Sequence, residues 1–252
     1  MIDHIVLFLL VFVRVTAVVG VAPFFSHGAV PAQVKVALAL FLTLLLQPLL
    51  QATVPAGELE LPVLVLLVLK EVGVGLIIGF ATTLIFAGVR SAGELIGFEL
   101  GFSLANAFDP ESSGQTQVVA QFMNLIMILV FLLLNGHHFV LQALRLSFDV
   151  VPLGTLVLSG ALAEQLVALT ATVFVIALKL AAPVIVAGFL VNVAMAILTR
   201  VAPQIHVFIL SFPLRSGVGL LVLTVSASLM VVVFKKLLLE FEGNILMLVR
   251  SM

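Results

Sequence analysis

Residues 93–121 read GELIGFELGFSLANAFDPESSGQTQVVAQ, the most polar and glycine-rich passage of an otherwise apolar chain. Gly93, Gly97, Gly101 and Ala105 recur every four residues, which places four small residues on nearly one face of a helix. Small residues at that spacing let two helix backbones come close, the usual way helices pack when lipid is as apolar as they are. Phe98 and Phe102 would then project together from another face. The pattern breaks at Asp109-Pro110, a turn-initiating pair, and a polar Ser/Gly/Gln loop over 106–116 follows before hydrophobicity resumes at Gln117. Backbone that leaves a helix at membrane depth has to be buried in protein or line a water-filled path. The passage is therefore expected to line or close such a path.

The rest of the chain sets the environment. Of its 252 residues, 63% are hydrophobic and 9% charged, and the mean hydropathy is +1.38. A water-soluble domain of this size cannot hide so much apolar surface, so the chain is an integral membrane or membrane-assembled protein. The net charge of −1 offers no basic patch for nucleic acid. Cys is absent, which removes disulfides and thiolate chemistry. Trp and Tyr are absent while Phe occurs 20 times, against the Trp/Tyr girdle expected at lipid headgroups. Either the composition has drifted or many helix ends meet other subunits.

Apolar runs predict an all-α chain. A first helix covers about 5–21 and stops before Pro23. A second starts near Pro31 and ends near Leu50. A third starts at Pro62 and runs without an obvious stop to about Asn106, too long for one straight span. A fourth covers about 117–134, Asn135-Gly136 marks a break, and 137–148 reads as a short helix. Pro152-Leu153-Gly154 is a turn. A fifth helix over about 162–198 is expected to kink or break at Pro183. A last one runs from about Gly217 to Leu239, with the tail over 240–252 as a short mixed helix or coil. The bases do not sort into loops of one side, so a regular zig-zag topology is poorly supported.

Several charges lie within or beside these apolar runs: Arg14, Glu71, Arg90, Glu94, Glu99 and Arg200. Arg90 and Glu94 can pair at i,i+4. Lys70 and Glu71 point in different directions and need other partners. Such groups are costly in a membrane and face protein or water. Structural pairing at subunit contacts accounts for them more simply than proton relay does. His137-His138 do not share a helix face and have no carboxylate at a useful spacing, so they make a poor metal site. Ser112-Ser113 lack the elbow and the positioned histidine of a nucleophile. No cofactor motif is present, and the chain is read as non-enzymatic.

A series of short motifs, in order along nearly the whole chain, resembles one family. It comprises Arg14, Ala22-Pro23-Phe24-Phe25-Ser26, Val30-Pro31, Lys35, Glu71, Gly75, Gly79-Phe80, Ala92-Gly93-Glu94 and Gly101-Phe102. Phe108-Asp109-Pro110, Ser113-Gly114, Gln121-Phe122, Asn135-Gly136-His137, Ser147-Phe148 and Pro152-Leu153-Gly154 follow. Arg200, Ala202-Pro203-Gln204, Val207-Phe208 and Phe212-Pro213-Leu214 close it. The chain resembles the R subunits of the bacterial flagellar type III export gate (the FliR family), whose counterparts serve in virulence injectisomes. It departs from the family pattern at Glu99, Ala196 and His206, where Gln, Gly and Asn are more usual.

The resemblance implies a helical assembly of P, Q and R subunits around an export channel, in the bacterial inner membrane at the flagellar basal body, with much of the mass at periplasmic level. It implies a P-like part over 1–160 and a Q-like part over 161–252, in which Pro203, Gln204, Phe208 and Pro213 match the Q hairpin. The B switch subunit, the A subunit and unfolded export substrates are the further partners it implies. It makes Asn106, Phe108, Asp109, Pro110, Ser112, Ser113, Gly114 and Gln115 the candidate pore plug, with Gly93, Gly97, Gly101 and Ala105 packing behind it. The alternative is a secondary transporter for a small solute, with broken helices at Pro23, Pro183 and Pro203. Matched internal repeats, which a transporter should show, are not found.

Overall fold

The computed structural model describes residues 2–26, 28, 30–50, 60–102, 118–204 and 207–252, the side chains of Ile2, Asp3, Leu49 and residues 207–209 excepted. Every element among them is helical. These are α1 (Ile2–Val21), α2 (Pro23–Ser26), α3 (Ala32–Leu46) with a 3-10 turn at Gln47–Leu49, α4 (Leu61–Glu99), α5 (Val118–Leu133), α6 (Gly136–Val150), α7 (Gly160–Val201) and α8 (Val207–Arg250). Four of the described helices are long and apolar enough to cross a membrane, or five spans if α5 and α6 count as one broken span.

Three of them greatly exceed a single span. α4, α7 and α8 have 39, 42 and 44 residues. At 1.5 Å per residue each is roughly 60 Å long, about twice the hydrocarbon thickness of a bilayer. Each is therefore steeply inclined or continues beyond the hydrocarbon.

The sequence boundaries hold for α1, α3, α5 and α6 to within a few residues. Three expectations are corrected. α7 runs through Pro183, which removes the break but not the kink expected there, and α8 begins at Val207 and contains Pro213. A lost backbone bond at proline does not end a helix whose turns on either side are held by packing. The tail expected over 240–252 is the last part of α8, because Leu238, Ile245, Leu248 and Val249 are buried at helical spacing. Finally, α4 stops at Glu99. Phe102 N–H donates to Gly97 O at 3.1 Å and Gly101 N–H to Phe98 O at 3.0 Å, with Gly101 at φ +82°. These are the two bonds of a Schellman stop, with Gly101 as the residue that takes the left-handed conformation.

Contacts divide the chain into two compact units, interleaved along the sequence. Met1–Ile85, Phe131–Thr170 and Leu239–Met252 form the first; Phe86–Val130 and Ala171–Leu238 form the second. In the first, Leu10, Val11, Val15 and Val18 of α1 are buried, as are Leu67, Val74, Ile78 and Ala81 of α4. α1 and α4 meet over glycines. A Cβ on Gly75 would stand 2.5 Å from Ala17 Cβ and 2.7 Å from Arg14 O, and one on Gly79 2.7 Å from Val21 Cβ. In the second unit, Ile96 and Leu100 are buried with Met123 and Met127 of α5 and Leu180, Ala181 and Val184 of α7. α5 crosses α4 at Gly93, where a Cβ would come 2.5 Å from Ala120 Cα.

Candidate functional site

In the first unit, α1 and α4 each carry one ionisable residue on the buried stripe. Arg14 follows Leu10 and precedes Val18; Glu71 sits between Leu67 and Val74. Both are fully buried. Because both lie in phase with apolar residues that must face inward, the two helices bring them together. Arg14 Nε donates to Glu71 Oε2 at 2.6 Å. The other guanidinium nitrogens serve α6: Nη1 donates to Ser147 O at 2.8 Å and Ser147 Oγ at 3.3 Å, and Nη1 and Nη2 both donate to Val151 O at 3.1 Å. These acceptors lie at the C-terminal end of α6, where the helix dipole is negative; Val151 O lacks an intrahelical donor, while Ser147 O also accepts from Val151 N–H at 3.0 Å. Arg14 thus caps a helix as well as pairing an acid. Its guanidinium also lies over the Phe148 ring, 4.4 Å from the centroid.

Glu71 is held on its other side by a turn. Gly154 N–H donates to Glu71 Oε1 at 2.7 Å. Gly154 has φ +75°, and Thr155 N–H donates to Pro152 O at 3.1 Å, which puts Gly where a type II turn demands it. Lys70, neighbour of Glu71, donates to Gly154 O at 3.0 Å. Lys70 and Glu71 thus do find separate partners, on the same turn. The set is closed: each charge has an opposite charge or a polar turn against it. Among the described residues of this unit, the unpartnered buried atoms are Thr16 Oγ1 and His137 Nδ1, on side chains outside the set. His137 packs on Phe24 and on His138, with ring centroids 6.3 Å and 4.3 Å apart.

The second unit presents its polar groups differently. Leu100, just beyond α4, is fully buried; its carbonyl accepts from Ser216 Oγ of α8 at 2.8 Å. Glu99 is half-buried and lays its carboxylate on α7 at Gly188, where an added Cβ would collide with Glu99 Oε2. No hydrogen bond or ion pair reaches that carboxylate from the described residues. Asn192, one turn beyond Gly188, has a buried Oδ1 and Arg215 a buried Nε, neither with a hydrogen-bond partner among the described residues. This unit also holds an apolar cavity of about 660 Å³. Its wall includes Val89, Phe122, Met127, Leu180 and Phe234, with only the hydroxyls of Thr224 and Ser228 for polarity.

The residues singled out in the sequence are distributed as follows. Arg14 and Glu71 complete each other inside the chain rather than facing out of it. Arg90 and Glu94 form their i,i+4 pair at 3.2 Å, with side chains 55% and 48% exposed. Arg200, Pro203, Gln204 and Pro213 are exposed, and Phe208 lies in the first turn of α8. Gly93 makes the close approach expected of it, and Gly97 is buried on the same helix. Gly101 does not belong to that stripe, since it ends the helix, and Phe102 does not share a helix face with Phe98. Phe98 is exposed, whereas Phe102 lines the cavity. Ala105 and the plug residues Asn106, Phe108, Asp109, Pro110, Ser112, Ser113, Gly114 and Gln115 lie outside the described residues. Asn192, Gly188 and Arg215 were not singled out as site residues by sequence. Their signal was polar or small residues in phase on the apolar helices α7 and α8.

An all-helical chain with several bilayer-length apolar helices and ionisable groups locked between them is a polytopic membrane protein. Residues 5–241 match the family described as bacterial export proteins, family 1. The chain belongs to that family. It is 33% identical over 252 residues to the flagellar biosynthetic protein FliR of Bacillus subtilis (strain 168), covering 96% of this chain and 95% of that protein. With the FliR of Pectobacterium carotovorum subsp. carotovorum it shares 35% identity over 213 residues, 84% of this chain and 80% of that one. The surface presentation of antigens protein SpaR of Shigella flexneri is 28% identical over 227 residues, 89% of this chain and 87% of that one.

Proposed function

We infer that this chain is a subunit of the bacterial flagellar type III export apparatus, a membrane component through which flagellar proteins leave the cell. The observation that carries this is the family match over residues 5–241, joined to FliR relatives covered over most of their length. The long apolar helices suit an inner-membrane location at the flagellum. The solute-transporter alternative is not favoured by these relatives.

The finer reading is as follows. The chain is non-enzymatic and joins P and Q subunits in one gate, with the A and B subunits as further neighbours. Residues 1–160 act as a P-like part and residues 161–252 as a Q-like part. The segment from Asn106 to Gln115 seals the channel until an unfolded substrate displaces it, with Gly93 and Gly97 holding α4 and α5 close behind it. Two experiments test this. Loss of the chain should abolish secretion of flagellar proteins and its return should restore it; normal secretion without it overturns the assignment. Removing residues 109–116 should make the assembled gate leak small ions, and a deletion gate as tight as wild type removes the plug.

A further inference from the structure

We propose that the surface of the second unit around Glu99 and Gly188 is a docking socket for a lysine or arginine on a helix of a neighbouring protein subunit. This rests on the chain working inside a multi-subunit gate, and deepens that reading by naming the chemistry of one contact. The polar floor of the socket is the Glu99 carboxylate laid on Gly188, to which no described residue donates; Asn192 Oδ1, one turn along α7, is occluded within the chain and is not part of the open surface. Buried polar atoms are seldom left unpaired. A lysine brings three donors and an arginine five, so one basic side chain can serve both oxygens of the Glu99 carboxylate.

The rim identifies the occupant as protein. Leu95, one turn before Glu99 on the same face, is 37% exposed, and Phe98, beside Glu99 in sequence, is 66% exposed; Phe189 and Val193, next to Gly188 and Asn192 on α7, are 63% and 42% exposed. Lipid would suit this rim but leave an unpaired carboxylate in hydrocarbon, which is costly. Water would solvate the carboxylate but leave these aromatic and aliphatic side chains exposed. A protein helix with a basic residue satisfies both, with apolar contacts excluding water around one desolvated charge pair. The chain's own Arg215 is the competing donor. It lies beside Ser216, which bonds Leu100, yet it makes no ion pair with Glu99.

The test uses the full chain in cells making the whole export apparatus. A photo-crosslinking residue replaces Phe98 or Phe189, and the crosslinked peptide is identified by mass spectrometry after purification in mild detergent. The proposal requires a peptide from a partner subunit with Lys or Arg within one helical turn of the crosslink. Glu99→Lys should lower recovery of the assembled complex at least about tenfold, as losing a desolvated charge pair does, and exchanging the partner's base for Glu should restore most of it. Crosslinks to lipid alone, or to a segment without a base, overturn the proposal. So does an equal loss in Glu99→Gln, Arg215→Gln and the double variant, which would mark an internal Glu99–Arg215 pair. If Glu99→Lys does not accumulate, the crosslink in the otherwise unaltered chain still decides. Failure to co-purify with any subunit would sink the export-gate reading itself, whereas co-purification with a baseless crosslink would sink only the socket.

Discussion

Arg14–Glu71 in the first unit and Glu99 in the second place the same kind of group on apolar helices and treat it in opposite ways. The first pair is fully buried, and its charges are matched by each other, by the end of α6 and by the Gly154 turn. Glu99 rests on a glycine and has no donor among the described residues. The closed set therefore orients helices within one chain, and the open one is left for something outside it. Ionisable residues in a membrane protein thus divide by whether their own chain finishes their hydrogen bonds, which matters more than burial alone.

Breaking the closed set should have the largest effect. Arg14→Ala or Glu71→Ala strands a buried charge and should cost about 3–5 kcal/mol of stability. Heating the purified complex and following protease resistance of this chain measures it. The double exchange Arg14→Leu with Glu71→Leu should lose clearly less than either single alanine, because no lone charge remains. A Glu71→Ala chain as resistant as wild type would contradict the closed set.

The glycine contacts give the next effect. Gly75→Ala pushes a methyl into Ala17 and the Arg14 carbonyl and should cost about 1–3 kcal/mol, as overpacking does. Gly20→Ala, with nothing within 4 Å of the added Cβ, should be neutral or stabilise by roughly 0.5 kcal/mol as a helical Gly→Ala change. Equal losses at both positions would mean that helix propensity, not the α1–α4 approach, governs this unit. In the second unit Gly101→Ala forces an ordinary residue into φ +82° and should cost about 1–2 kcal/mol. Its readout is hydrogen exchange at the end of α4, around the bonds to Gly97 and Phe98. Protection unchanged from wild type would argue against the left-handed stop.

The smallest effect belongs to the exposed pair. Glu94→Gln should shift stability by no more than about 0.5 kcal/mol, seen in the same protease assay. A loss comparable to Glu71→Ala would place Glu94 in a buried contact with a neighbour and make the second unit's open chemistry larger than Glu99 alone.

Much of this was legible in the chain. Apolar runs of bilayer length, Pro23, the Asn135-Gly136 break and the Pro152–Gly154 turn mark α1, α5, α6 and their joints, because hydrophobicity and turn chemistry are local properties. The presence of Arg14 and Glu71 on apolar faces could be read too, as could the i,i+4 pair of Arg90 and Glu94. The buried stripe that carries α8 on to Arg250 was also present, as Leu238, Ile245, Leu248 and Val249, but the charges among them disguised it as a tail.

Tertiary structure decided the rest. Gly93 and Gly101 look alike at four-residue spacing, yet one lets α5 approach and the other ends α4. The difference lies in φ at Gly101, which composition does not encode. Pro183 reads as a kink or break, yet α7 is continuous through it, as α8 is through Pro213, since neighbouring turns outweigh one missing hydrogen bond. That Arg14 meets Glu71, and that Glu99 lies on Gly188 with no donor among the described residues, depends on which helix faces are brought together across tens of residues. Sequence by itself determined an all-helical membrane subunit with costly charges at stated positions; only packing determined which of those charges the chain neutralises itself.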